Sequence, residues 1–278
     1  MPDEVRFVDA SGLRFGYFES GSGPLVLLIH GFPDTAHSWD PTRRALAAAG
    51  FRAVAPFTRG YAPTDVPPTE AYDSDTLGQD VIALVRALGG GAPAVVVGHD
   101  WGASAAYSAA ALGPETVRLL VTIAIPHPNS ITPTPSAIWA VRHFFALNRR
   151  SALRWVPDDD FAYIDELLHR WSPRWNPGPE ESAEVKKIFR NPKNLDAALG
   201  YYRALRPWPP RSHKMKISVP SVSFAGDSDI MPVGAYEKAR SMFTGSYEVV
   251  QMRGGHFMHR EHPDEFNEKL LRVLAPYR

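Results

Sequence analysis

The sequence predicts an α/β fold, a mostly parallel sheet with helices on both faces, opened midway by an inserted block of helices. Three observations carry this reading. Short β-branched runs alternate with helical stretches from residue 13 to 125, the alternation stops between 129 and about 214, and it resumes from 218 onward. In order, strands are expected at 13–19 and 25–30, a helix at 41–49, and a strand at 52–56. The stretch 75–88 sets Leu77, Val81, Leu84, Val85 and Leu88 at helical spacing. A strand at 92–98, a small-residue helix at 103–112 and a buried-type strand at 119–125 follow. Strands separated by helices cannot be hairpins, so they pair in parallel under helical cover.

The insertion has no convincing strand, but helical periodicity recurs at 137–147, 161–171, 180–189 and 195–205. Prolines bracket it, with Pro126, Pro128, Pro133 and Pro135 before and Pro207, Pro209 and Pro210 after. This divides the chain into a core of 1–128 and 215–278 and a helical cap of 129–214. The core resumes with a strand at 218–224, a helix at 233–243, a strand at 247–252 and a helix at 264–274.

Composition narrows the function. With 278 residues, 44% of them hydrophobic, the chain can bury a sizeable core. Thirty Lys and Arg balance thirty Asp and Glu, so no net charge steers it to nucleic acid or an anionic membrane. The absence of cysteine removes disulfides, thiolate metal sites and cysteine nucleophiles. Residues 1–5 have neither a basic nor an apolar leader character, and no apolar run approaches the roughly 18 residues of a membrane span, which reads as cytoplasmic. No dinucleotide glycine pattern follows the early strands, so no cofactor is expected.

The chemistry concentrates at three turns. Val95-Val96-Val97-Gly98-His99-Asp100-Trp101-Gly102 runs a buried strand into a helix through Gly-x-Asp-x-Gly, the sharp turn that presents a nucleophile at the sheet edge. Aspartate is also a common helix N-cap, and the motif alone favours that role; the strand before it, the small-residue helix after it and the two further turns reverse the preference. His30-Gly31-Phe32-Pro33 follows the second strand and can aim a backbone N–H at the same point as the N–H of Trp101, two donors that make an oxyanion hole. Near the end, Gly226-Asp227-Ser228-Asp229 and Gly254-Gly255-His256-Phe257 follow the last two strands. Nucleophile, acid, histidine is the chain order of the nucleophile-elbow hydrolases. Asp229 is preferred as the acid because it clears the strand end, whereas Asp227 can cap the turn. A metal site at His256, His259 and His262 is the weaker reading, since the latter two fall in a charged helix-start segment.

Along essentially its whole length, and through His30-Gly-Phe-Pro, Arg59-Gly-Tyr-Ala, Gly98-His-Asp-Trp-Gly, Gly226-Asp-Ser-Asp and Gly255-His-Phe, the chain resembles the α/β-hydrolase superfamily. Within it, the resemblance is to the epoxide hydrolases and haloalkane dehalogenases, which carry aspartate at the elbow. It implies an eight-stranded sheet with a cap, Asp100 as nucleophile at a saturated carbon, and His256 oriented by Asp229 to activate water. Phe32 and Trp101 N–H groups would hold the oxyanion. Small apolar epoxides or haloalkanes, with water, are the implied substrates.

Ala198-Leu-Gly-Tyr-Tyr-Arg203 is similar to the segment that carries one ring-opening tyrosine in epoxide hydrolases, and Tyr202 is the match. The family's earlier Trp-Tyr appears as Trp139-Ala140, so His143 is the candidate second donor. A halide-binding reading rests on Trp101 and the cap residues Trp139, Trp155, Trp171 and Trp175. Phe32, where many dehalogenases have a polar residue, speaks against it. A cap-gated binding protein that has lost catalysis would show a broken triad.

Overall fold

The computed structural model describes residues 4–131, 134–206 and 208–278. Pro133 and Pro207 of the bracketing prolines lie outside the described residues. The core opens with β1 (Arg6–Ala10), β2 (Leu13–Ser20), β3 (Leu25–Ile29), α1 (Asp40–Ala48), β4 (Arg52–Pro56) and α2 (Ser74–Leu88). It continues with β5 (Ala94–His99), α3 (Trp101–Leu112) and β6 (Val117–Ile123). Helices α4 (Pro135–Ala140), α5 (His143–Leu147), α6 (Ala152–Trp155), α7 (Asp158–Trp171), α8 (Glu180–Phe189), α9 (Pro192–Arg203) and α10 (Arg211–Lys214) intervene. Then come β7 (Ser221–Gly226), α11 (Val233–Ala239), β8 (Tyr247–Met252), α12 (Met258–Glu261) and α13 (Pro263–Leu274).

Eight strands form one sheet in the order β1-β2-β4-β3-β5-β6-β7-β8 among the described residues. β2 is antiparallel to both neighbours and the other pairings are parallel. The central strands β3 and β5 are buried along their full length, which is why they read as unbroken apolar runs rather than alternating ones. Helix α1 packs with α13 and α2 with α3, covering the sheet. Because β4 lies on one side of β3 and β5 on the other, the strand order reverses there, and a crevice opens at the carboxyl ends of β3 and β5. The two most informative motifs of the sequence sit on that crevice.

Three details differ from expectation. β1 was not foreseen: its exposed, half-polar sequence Arg-Phe-Val-Asp-Ala carries a weak strand signal, but it pairs with β2 through a tight Ser11-Gly12 turn with positive φ at both residues. The expected helix at 137–147 is two helices, α4 and α5, separated by residues 141–142. The strand expected at 218–224 begins only at Ser221, after an isolated bridge between Ile217 and Phe243. Between β6 and β7 the described residues contain helices and turns and no strand. No helix of the described residues is long and apolar enough to cross a membrane.

Candidate active site

Asp100 stands between β5 and α3 with φ 53° and ψ −119°, a left-handed conformation that costs a non-glycine residue about 1–3 kcal/mol. It occupies the N-cap position of α3, yet its side chain makes no cap hydrogen bond. Its Oδ1 instead accepts the backbone N–H of Phe32 at 2.9 Å, so the plain capping role is not what this aspartate performs. The glycines explain how the turns come so close. A Cβ on Gly31 would lie 2.5 Å from Asp100 Cβ, and one on Gly102 would collide with the Ile29 carbonyl. The N–H of Trp101 is the first of α3 and has no carbonyl four residues back to meet it.

His256 follows β8 and is buried. Its Nε2 lies 3.4 Å from Asp100 Oδ2 and its Nδ1 3.4 Å from Asp229 Oδ1, so the ring sits between two carboxylates. Its backbone is anchored twice: its N–H donates to the Trp171 carbonyl and its own carbonyl accepts from His99 Nε2, both at 2.9 Å. Burial works against a charged ring, but Asp100 and Asp229 outweigh it and hold the pKa up at about 10. Burial raises the Asp229 carboxyl, with His256 pulling it back toward the ionised form. Asp227 is half exposed, accepts Gly254 N–H at 3.1 Å and pairs with Arg174, a turn residue as the sequence suggested.

A cavity of about 150 Å³ opens above these groups, lined by Asp100, His256, Trp101, Phe144, Trp171 and Met231 among others. Tyr202 on α9 is fully buried, edge-on to Trp101 at 5.4 Å between ring centroids and to Phe32 at 5.2 Å. Among the described residues its hydroxyl meets no partner in good hydrogen-bond geometry; burial, followed by the Asp100 charge, drives its pKa well above 10, against a smaller pull from the nearby Trp101 side chain. It is therefore a neutral phenol with a proton to give. Its neighbour Tyr201 donates to the Arg59 carbonyl at 2.9 Å and serves packing. His143 lines the cavity, lies tilted against Trp171 with ring centroids 4.5 Å apart and is 5.9 Å from the Tyr202 ring. Burial pulls its pKa down to about 3, leaving a neutral imidazole.

Of the tryptophans in the helical insertion, Trp171 alone among the described residues lines the cavity; Trp139 is 68% exposed. Trp171 Nε1 is buried without a partner, and its ring lies 5.1 Å from that of His256. His259 does not gather with His256 and His262; it groups with Asp34 and His99, an arrangement invisible to sequence spacing. That cluster is the feature sequence reasoning missed, whereas Trp171 was among the tryptophans the sequence offered. Lone residues 65 or more positions apart give no local signal.

An aspartate on a strand-to-helix turn, a facing backbone donor and a late histidine between two acids make an arrangement that fits a hydrolase. Residues 24–263 match the family model described as alpha/beta hydrolase fold, and the chain belongs to that family. It is 31% identical over 214 residues to the AB hydrolase superfamily protein YfhM of Bacillus subtilis, covering 73% of each chain. It is 30% identical to mouse Epoxide hydrolase 3, covering 96% of this chain and 75% of that one. The solved structure of epoxide hydrolase CorEH superposes with a TM-score of 0.84 at 26% identity, over 99% of both chains.

Proposed function

We propose that the protein is an epoxide hydrolase that works through an ester on Asp100, with residues 129–214 forming a cap over the core of 1–128 and 215–278. The observation that carries this is the placement of Asp100. It accepts Phe32 N–H on one oxygen, faces His256 with the other, and lies beneath an apolar cavity close to the unpaired Tyr202 hydroxyl. The epoxide hydrolases among its relatives support the substrate class.

In this mechanism an Asp100 oxygen attacks an epoxide carbon and the ring C–O bond breaks. The leaving oxygen takes the Tyr202 proton, with His143 as a second hydrogen-bonding group. Esterification removes the Asp100 charge, so the His256 imidazolium loses one of its two stabilising partners and gives its proton to the tyrosinate. Neutral His256, oriented by Asp229, then takes a proton from water as the hydroxyl attacks the Asp100 carbonyl carbon. Phe32 and Trp101 N–H groups receive the oxyanion; collapse breaks the bond from the Asp100 carbonyl carbon to the substrate oxygen, and that oxygen takes the proton of the newly formed Asp100 carboxyl, which releases the diol and leaves Asp100 ionised and His256 protonated as at the start.

A second reading, haloalkane dehalogenase by the same nucleophile, is favoured by the free Trp171 Nε1 beside the cavity, which can hold a halide. Purified protein should be assayed against aryl and alkyl epoxides and primary bromoalkanes, following diol and bromide. Diol without bromide is expected. Bromide without diol moves the assignment to the dehalogenase, and neither product favours a cap-gated binding protein.

A further inference from the structure

Behind the catalytic histidine, three fully buried side chains point unpaired atoms at one another. Asp34 Oδ2 lies 3.9 Å from His99 Nδ1 and 4.0 Å from His259 Nε2, and the three atoms fall within 4.8 Å of one another. None of the three has a hydrogen-bond partner. Each comes from a different catalytic turn. Asp34 is two residues past Phe32, His99 immediately precedes Asp100, and His259 is three residues past His256.

We propose that Asp34, His99 and His259 hold one buried water, and that this water-bridged triangle is a positioning device that keeps oxyanion donor, nucleophile and base in mutual register. The inference rests on the epoxide hydrolase reading for its kinetic consequence, not for its existence.

Proton accounting selects water. His99 Nε2 faces a carbonyl oxygen, that of His256, so it carries the proton and Nδ1 is a bare acceptor. Burial keeps both His99 and His259 neutral. Asp34 Oδ2 is also an acceptor, its other oxygen being taken by Arg260 at 3.0 Å. Two acceptors need two donated protons, which a water supplies; both ring nitrogens of His259 are without a partner among the described residues, and the proposal puts its proton on Nε2, where the water can accept it. Three partners is the usual number for a buried water.

Geometry agrees. Edges of 3.9 and 4.0 Å allow an oxygen about 2.8 Å from each corner, lying slightly out of their plane. A tetrahedral zinc at about 2.1 Å wants ligand atoms about 3.4 Å apart, closer than these stand.

Ester hydrolysis requires all three turns in place, whereas alkylation requires chiefly Asp100 and Tyr202. His259→Leu removes the donor; His259→Gln keeps an N–H near the Nε2 position. Single-turnover kinetics should show ester hydrolysis falling roughly tenfold or more in the Leu variant, alkylation changing less than about threefold, and Gln recovering most of the loss. Equal losses in both steps, or Gln no better than Leu, would reduce His259 to packing. An independent arm uses the unsubstituted protein without substrate. Nitrogen-detected NMR should find His99 and His259 neutral with the proton on Nε2. A cationic ring at either position, or stoichiometric transition metal in the purified protein, overturns the water assignment. If no epoxide is turned over, the functional reading fails while the tautomers still decide the triangle.

Discussion

Replacing Asp100 by Asn removes one carboxylate charge from His256 while keeping the shape of the side chain. Lifting the ring from its ordinary 6.5 to about 10 corresponds to about 5 kcal/mol in favour of the imidazolium. Asp100 and Asp229 stand at the same 3.4 Å. Because burial opposes them, together they supply more than that net figure, and losing one forfeits at least half of it, about 2.4 kcal/mol. The ring should thus become roughly 50-fold more acidic. An NMR titration of the His256 ring protons in wild type and variant reads this directly, with the midpoint moving down in Asp100→Asn. Alkylation neutralises Asp100 in the same sense, so the variant reports the base as it stands when water is activated. A midpoint that stays put would refute the idea that the ester switches His256 from acid to base.

His256→Gln should leave alkylation intact and strand the ester, so intact-protein mass spectrometry after exposure to a reactive epoxide should show a lasting adduct on Asp100. Tyr202→Phe should slow ring opening about 100-fold or more while ester breakdown, followed by stopped-flow fluorescence, changes little. Gly31→Ala sets a methyl group 2.5 Å from Asp100 Cβ and should abolish diol formation at a stability cost of about 1–3 kcal/mol by denaturant titration. His256 binds its proton more tightly folded than unfolded, so its contribution to stability is complete below pH 6.5 and lost as pH rises through about 10. Wild type should accordingly lose more denaturant resistance than His256→Gln between pH 6 and 10, and equal losses would contradict the ion pairs.

Much of this was legible beforehand because its signals are local. The Gly-x-Asp-x-Gly turn, the glycine after β3 and the histidine after Gly254-Gly255 announce backbone geometry within a few residues, and the structure brings Asp100, Phe32, His256, Asp229 and His143 to one place. Tyr202 was reached by resemblance, since Tyr201 beside it is equally buried and only the fold decides which hydroxyl finds a carbonyl. β1 escaped notice because an edge strand with one solvent-facing side has little hydrophobic pattern to read. Asp34, His99 and His259 escaped as a group because a triangle closed by a loop, a strand end and a short helix has no period at all.

Arg260 ties the helical insertion to the core. Its guanidinium joins Asp34 on the core at 3.0 Å to Glu181 on α8 at 2.5 Å, and lies over the rings of Trp175 and Phe257. Arg260 and Asp34 are buried while Glu181 is about a third exposed, so the contact that reaches α8 is the partly solvated one of the two. The cavity at Asp100 takes apolar lining from Val141, Phe144 and Leu205, and Trp139 and Phe145 face solvent. For the proposed hydrolysis, such an apolar wall would hold an apolar reactant better than a polar diol, so the lining itself would favour retention of reactant over product.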